Sequence, residues 1–280
     1  MMILGALLLS LSLTQEPIPA AARAQFDAGN YKTALTTLRA ALSQAPNDPA
    51  LHYWTARTNY ELHNYDEAVN HAELAVKLAP GNGEYSRWLG RAYGAKAEQS
   101  HSFFLARKVK QAFEVAVRLS PTNVAARRDL MQFFVQAPWI VGGDKDKAKQ
   151  QVAAIAAIDP VEGRLAHAAY LNAEKQWKPA EAEYVAVLDQ LPAGIDPYME
   201  AAEFFTERKD SAHLDKTVEV ASRVDSADPR VGYYRAIALI LRGTDKPAAE
   251  QLLKSYITVP EKSDYPSHKS AIEWLARLTH

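Results

Sequence analysis

Apolar and small residues recur along this chain in triplets spaced four and three apart, each triplet upstream of a proline. The prolines are Pro46, Pro80, Pro121, Pro160, Pro192, Pro229 and Pro260, separated by 34, 41, 39, 32, 37 and 31 residues. Twelve, eight and five residues before them stand Ala34, Leu38 and Ala41; Ala68, Ala72 and Ala75; Val109, Phe113 and Ala116; and Ala148, Val152 and Ile155. The series continues with Ala180, Tyr184 and Val187; Thr217, Ala221 and Val224; and Ala248, Leu252 and Ser255. Nineteen of these 21 positions are apolar, against about ten for a chain that is 48% hydrophobic, so the register is a property of the sequence and not of its composition. Spacings of four and three place each triplet on one helical face. A proline then ends the helix, because it lacks an N–H and collides with the preceding turn. The pattern predicts an all-α chain of about seven helix pairs, with small residues where two helices cross closely.

A second signature precedes the triplets. In "YSRWLGRAYG", Leu89, Gly90 and Tyr93 form a Leu-Gly-x-x-Tyr core, echoed by Leu130 and Phe134 one unit on. Tyr31, Tyr65 and Trp177 stand just before second helices. With a period near 34 residues, these features resemble the tetratricopeptide repeat family. The resemblance implies a right-handed superhelix, an α-solenoid, over residues 15–260. After Pro260, Ala271, Trp274, Leu275 and Leu278 make an apolar stripe behind Pro266 and Ser267, which predicts a capping helix within 261–280 that covers the last bare face.

The N-terminus reads differently. Ile3 to Leu13 is an apolar run with the length of a signal-peptide core, too short to span a bilayer. We expect residues 1–14 to be a leader cut near Thr14-Gln15, with Ala20 and Ala22 offering a second site further on, up to residue 22. No Lys or Arg precedes the run, so a buried first helix is the competing reading. There are no cysteines, which removes disulfides, thiolate metal sites and cysteine nucleophiles and is compatible with an oxidising compartment. A net charge of −1 argues against general nucleic-acid binding.

One stretch looks like chemistry. "QAPWIVGGDKDKAKQQ" holds a double glycine before Asp-Lys-Asp-Lys. It lacks the serine or threonine and the preceding strand of a phosphate loop, and Asp144 and Asp146 would repel an anion. It reads instead as an enlarged turn in which Asp144 caps the next helix. Phe133, Phe134, Gln136, Ala137, Pro138, Gly142, Gly143, Lys147 and Ala148 together resemble the corresponding stretch of periplasmic tetratricopeptide proteins of Gram-negative bacteria. That resemblance implies an exported binding array with no assigned reaction. Trp139 and Ile140 in this loop are either a docking point or folded back on a neighbouring helix.

The eight histidines form no HExxH pair and no ligand cluster, and no GxSxG elbow or acid–base pair stands out. We therefore expect no catalytic residues, no metal and no cofactor. The remaining candidate is the concave face lined by first helices. Equivalent places give Arg23 and Phe26 in the first unit, Tyr53, Arg57 and Tyr60 in the second, Arg87 and Arg91 in the third, and Arg128 and Gln132 in the fourth. Arginines interleaved with aromatics suit carboxylates, through the guanidinium fork, and stacking. They do not reproduce the Lys-Asn carboxylate clamp of chaperone-binding tetratricopeptide domains. The alternative is that each arginine pairs with a nearby Asp or Glu.

The expected function is a protein–protein interaction scaffold or peptide-binding module of the cell envelope. Its location would be the periplasm, and its partner an acidic or C-terminal protein segment, with no nucleic acid and no stable membrane insertion. A small-molecule or lipid-binding lumen is the alternative, lowered by the charged inner places, and a cell-wall enzyme comes last.

Overall fold

The computed structural model describes residues 18–278. The expected leader, residues 1–14, lies outside them. Fifteen α-helices are present among the described residues, with no strand. They pair as α1 (Ala20–Asp27) with α2 (Tyr31–Gln44), α3 (Pro49–Glu61) with α4 (Tyr65–Leu78), and α5 (Gly83–Ser100) with α6 (Phe103–Leu119). The array continues with α7 (Val124–Gln136) and α8 (Lys145–Ile158), then α9 (Pro160–Ala173) and α10 (Trp177–Leu188). It ends with α11 (Asp196–Glu207) and α12 (Ser211–Val224), α13 (Pro229–Arg242) and α14 (Lys246–Ile257), and the single helix α15 (His268–Ala276). Seven hairpins and a capping helix are what the periodicity predicted.

No hairpin has a core of its own. Apolar faces are shared along the stack in two clusters, a smaller one over the first units and a larger one running from α3 to α15. The crossing points are close because small residues occupy them: Ala34, Ala68, Ala116, Ala148, Ala180 and Ala221 are all almost fully buried. At Gly90 the ring of Phe113 lies where a Cβ would stand, 2.4 Å from its ideal position, so α5 and α6 cross on bare backbone.

Two expectations need correction. Pro160 and Pro229 do not end a helix; each is the first residue of the next one, where a missing N–H breaks no hydrogen bond. In the seventh unit the buried positions are Ala249, Leu253 and Tyr256, one residue on from Ala248, Leu252 and Ser255. In the sixth unit Thr217 and Ala221 are buried but Val224 is exposed; the stretch between a second helix and its proline varies from one residue after α2 to four after α12, so counting back from the proline does not always land on the packed face.

The glycine loop is structural. Pro138 precedes a 3-10 turn, Trp139–Val141, in which Val141 is buried as an anchor. Gly142 then takes a left-handed φ of 109°, and the Asp144 carboxylate accepts hydrogen bonds from the Asp146 and Lys147 amides to cap α8. At the other end Ser267 caps α15, and Ala271 and Trp274 are buried against the last hairpin.

The two ends of the array meet. Between α14 and α15 the chain returns to the first units: Pro260 sits against Gly29, which has φ of 76° and no room for a side chain. The Glu61 carboxylate accepts hydrogen bonds from the Ser263 amide at 2.9 Å and hydroxyl at 2.7 Å, across 202 residues of sequence. This segment ties the last hairpin to the first two units and closes the stack into a ring with a half-open interior.

The close crossing gives a paired prediction on α5. Gly90→Ala must push the Phe113 ring and should lower unfolding stability by about 1–3 kcal/mol. Gly94→Ala, which meets no atom within 4 Å, should raise it by about 0.5–1 kcal/mol through helix propensity. Urea denaturation of both variants checks the opposite signs.

Candidate functional site

Two half-open hollows, which share Ser263 and Asp264, are lined mainly by first helices of the hairpins and by the closing segment 262–267. The smaller, about 250 Å³, lies over the first three units and holds Phe26, Arg57, Trp88 and Arg91. The larger, about 1120 Å³, runs from α5 to α15. Asp264 borders both.

In the smaller hollow Trp88 is the shared platform. The Arg57 guanidinium lies 4.5 Å from its centroid and also contacts the rings of Phe26, Tyr53 and Trp54 at 4.9, 5.5 and 4.5 Å. Its Nη1 donates to the Tyr53 hydroxyl at 3.2 Å, while its Nε is buried without a partner. Arg91 lies 4.5 Å from the Trp88 centroid and 5.6 Å from that of Tyr60. Neither guanidinium has a carboxylate at ion-pair distance among the described residues. Phe26 and Tyr53, expected on the open face, are mostly buried in the core of the first units, and Tyr60 stands edge-on to Trp88 at 5.7 Å. Arg23 stacks on Trp54 at 4.5 Å and pairs with Asp27 at 2.7 Å, well out in solvent.

The next two expected arginines are engaged within the protein. Arg87 donates to Asp129 at 2.7 Å and to Glu84 at 3.2 Å. Burial opposes its charge, but Asp129 and Glu84 outweigh that and hold its pKa above the usual guanidinium value. Arg128 bridges Glu162 at 3.0 Å and Glu200 at 2.6 Å. Burial pushes the Glu200 carboxyl upward against the pull of Arg128. The five expected arginines therefore divide: Arg57 and Arg91 have no carboxylate at ion-pair distance, Arg87 and Arg128 knit neighbouring units together, and Arg23 pairs with Asp27 on its own helix. Gln132 lines the larger hollow. Trp139 and Ile140 are 84% and 55% exposed and line neither hollow.

The sequence reading missed the far side of the larger hollow. Arg230 on α13 pairs with Asp228 at 2.7 Å and Asp196 at 2.9 Å. Glu203 and Glu207 on α11 line the same wall with Tyr233, Tyr234 and Trp274. Partial burial in the cavity, then Glu207 and Glu200, push the Glu203 pKa up. A usable signal was present: Arg128 and Glu162, and Asp196 and Arg230, are each 34 residues apart, one repeat length.

Metal chemistry finds little support. Among the described residues, Glu181, Asp210 and His213 bring ligand atoms within 4.8 Å of one another. Asp210 already caps α12 and accepts from His213 Nδ1 at 2.6 Å, so helix capping accounts for the arrangement. His52 and His71 meet Nδ1 to Nδ1 at 2.9 Å within the second hairpin, and Glu67 lies 3.9 Å from the other nitrogen of His71, too far to share a metal with that pair. No described helix is long and apolar enough to cross a membrane.

Residues 20–83 match the tetratricopeptide repeat family model. The solved structure of a tetratricopeptide repeat protein from Parabacteroides merdae has a TM-score of 0.61 at 15% identity, covering 93% of this chain and 97% of that one. The chain carries a tetratricopeptide-repeat segment at 20–83 and shares the tetratricopeptide-array fold along most of its length. A second similar structure, a tetratricopeptide repeat protein of Thermus thermophilus, gives a TM-score of 0.55 at 23% identity over 66% of this chain and 96% of that one. No protein of curated function matches the chain significantly. At these identities the solved structures speak for the fold of the tetratricopeptide array alone.

Two predictions follow from the charges of this tetratricopeptide ring. Arg128→Met leaves Glu162 and Glu200 without their cation and should cost about 3 kcal/mol of stability at neutral pH, read by chemical denaturation. Glu203 has the opposite sign. Its raised pKa means the folded chain holds the proton more tightly than the unfolded chain, so the ionised carboxylate costs stability at neutral pH. Glu203→Gln should raise the melting temperature at about pH 7, and the gain should vanish near pH 4, where the unfolded glutamate is itself largely protonated.

Proposed function

We propose that this protein is an exported interaction scaffold of the bacterial cell envelope that grips an extended partner segment by a carboxylate. Tetratricopeptide arrays in general hold other proteins and carry no chemistry of their own, and an α-solenoid with a lined interior fits that role. One observation carries the finer reading. Arg57 and Arg91 share Trp88 as a platform, border one hollow, and have no carboxylate partner among the described residues. Aromatic rings hold a guanidinium in place without neutralising it, so its remaining N–H groups stay available to a carboxylate fork. An acidic side chain or a free C-terminus supplies that group.

Export is supported by the apolar run Ile3–Leu13 and by the absence of cysteine. A cut near Thr14-Gln15 leaves α1 whole, whereas a cut after Ala22 would remove a fully buried residue of the first hairpin. The loop from Phe133 to Ala148, which resembles that of periplasmic tetratricopeptide proteins, favours the same compartment.

Crosslinking in intact cells, followed by mass spectrometry, identifies the neighbour and its segment. Arg91→Ala should weaken binding of that segment by about tenfold or more, the loss of a charge-assisted hydrogen bond of about 1.5–3 kcal/mol. Lys149→Ala, on the outer face of α8, should leave it unchanged. Equal affinities for the Arg91 variant and the native protein would remove the groove assignment.

A further inference from the structure

The larger hollow has the opposite character from the smaller one. All three arginines on its wall are already engaged: Arg87 by Asp129 and Glu84, Arg128 by Glu162 and Glu200, Arg230 by Asp228 and Asp196. Two of its carboxylates, Glu203 and Glu207, are not. Glu203 has no hydrogen bond and no cation among the described residues. Glu207, one turn further along α11, receives only a 3.5 Å contact from the Asn172 amide. Two like charges four apart on one helix repel, and the arrangement lowers its energy when a cation enters between them.

A second observation is independent of the carboxylates. Tyr234 lines the same wall; the residue is only 5% exposed, and its hydroxyl, which keeps contact with the hollow, has no hydrogen-bond partner among the described residues. The Thr206 hydroxyl, also in this wall, is buried and unsatisfied. The Tyr233 ring meets that of Tyr234 at 5.0 Å, and Trp274, with the Arg277 guanidinium 4.0 Å over its ring, lines the same hollow. Carboxylates, a hydroxyl acceptor and aromatic faces are the surroundings an alkylammonium ion requires: charge, a hydrogen-bond acceptor and a polarisable apolar wall for the carbon chain. They are a poor fit for calcium, which takes six to eight oxygen ligands. An anion meets no unengaged cation here.

We propose that the larger hollow is a binding site for an organic cation, a protonated amine held by Glu203 and Glu207, with its alkyl chain against Tyr233, Tyr234 and Trp274. Its volume, about 1120 Å³, is ample for a free diamine or triamine and also for the lysine side chains of a threaded peptide. Both sources present the same ammonium, and the binding experiment tells them apart.

The test is isothermal titration of the full-length mature protein with putrescine, spermidine, a short lysine-containing peptide, calcium chloride and sodium glutamate, with tryptophan fluorescence as a second readout from Trp274. Saturable binding of the amines, with calcium and glutamate inert, is expected. Binding of putrescine or spermidine but not the peptide assigns a free amine, and the reverse assigns a lysine side chain. Glu203→Gln should weaken binding at least tenfold, and Glu203→Gln with Glu207→Gln should abolish it, while melting curves show the fold retained. Tyr234→Phe, which keeps the ring and loses the hydroxyl, should weaken it less. No saturable binding of any amine, binding unchanged in the double variant, or calcium binding as tightly as the amines would overturn the proposal.

Discussion

A hairpin of two short helices cannot bury its own apolar faces, so each unit of this chain depends on its neighbours. That dependence sets the rest of the structure. Helices must cross closely enough for adjacent units to interlock, which explains alanine at the crossings and the bare backbone of Gly90 under Phe113. Outward and inward faces are then released from core duty. The inner face can carry ionised groups, because the apolar work is done between hairpins. It also explains why the ends need treatment: α15 covers the last face, and the segment before it returns to Gly29 and Glu61.

Inside the ring, electrostatics sort the inner surface into regions. Near the first units, Arg57 and Arg91 rest on aromatic rings with no carboxylate at ion-pair distance, although Asp27, Glu61 and Asp264 line the same hollow. Through the middle, arginines and acids on adjacent units neutralise one another and act as ties between repeats, as Arg128 does with Glu162 and Glu200. On α11, Glu203 and Glu207 remain without a cation among the described residues. A surface of this kind reads a partner with separated charges better than a uniform one, since a wrongly placed like charge is repelled. Asp264, in the closing segment, borders both hollows, so anything that moves this segment touches both ends of the gradient.

How much of this could be read in advance depended on which positions obey a period. The triplets before the prolines do, because every second helix packs the same way; they gave seven hairpins and the correct buried residues through most of the chain. The last unit slipped by one because linker length, unlike packing, is free to vary, and Pro160 and Pro229 showed that a proline can open a helix as readily as close one. The inner face was harder. Equivalent arginines suggested a row of equal groups, but pairing is decided by what the neighbouring unit offers. Arg87 finds Asp129, whereas Arg57 finds only rings. The wall of Glu203, Tyr233 and Tyr234 was missed for the same reason: it comes from helices far apart in sequence and becomes a site only when the ring closes.

The central claim is therefore the closure itself, because both hollows exist only if the first and last units touch. Since the chain has no cysteine, Ala28→Cys and Thr258→Cys can carry a single pair of spin labels beside the Gly29–Pro260 contact. Pulsed electron resonance should give one short, narrow distance distribution in dilute monomer. A long or broad distribution would mean an open solenoid, and the inner surfaces described above would not exist as half-open hollows.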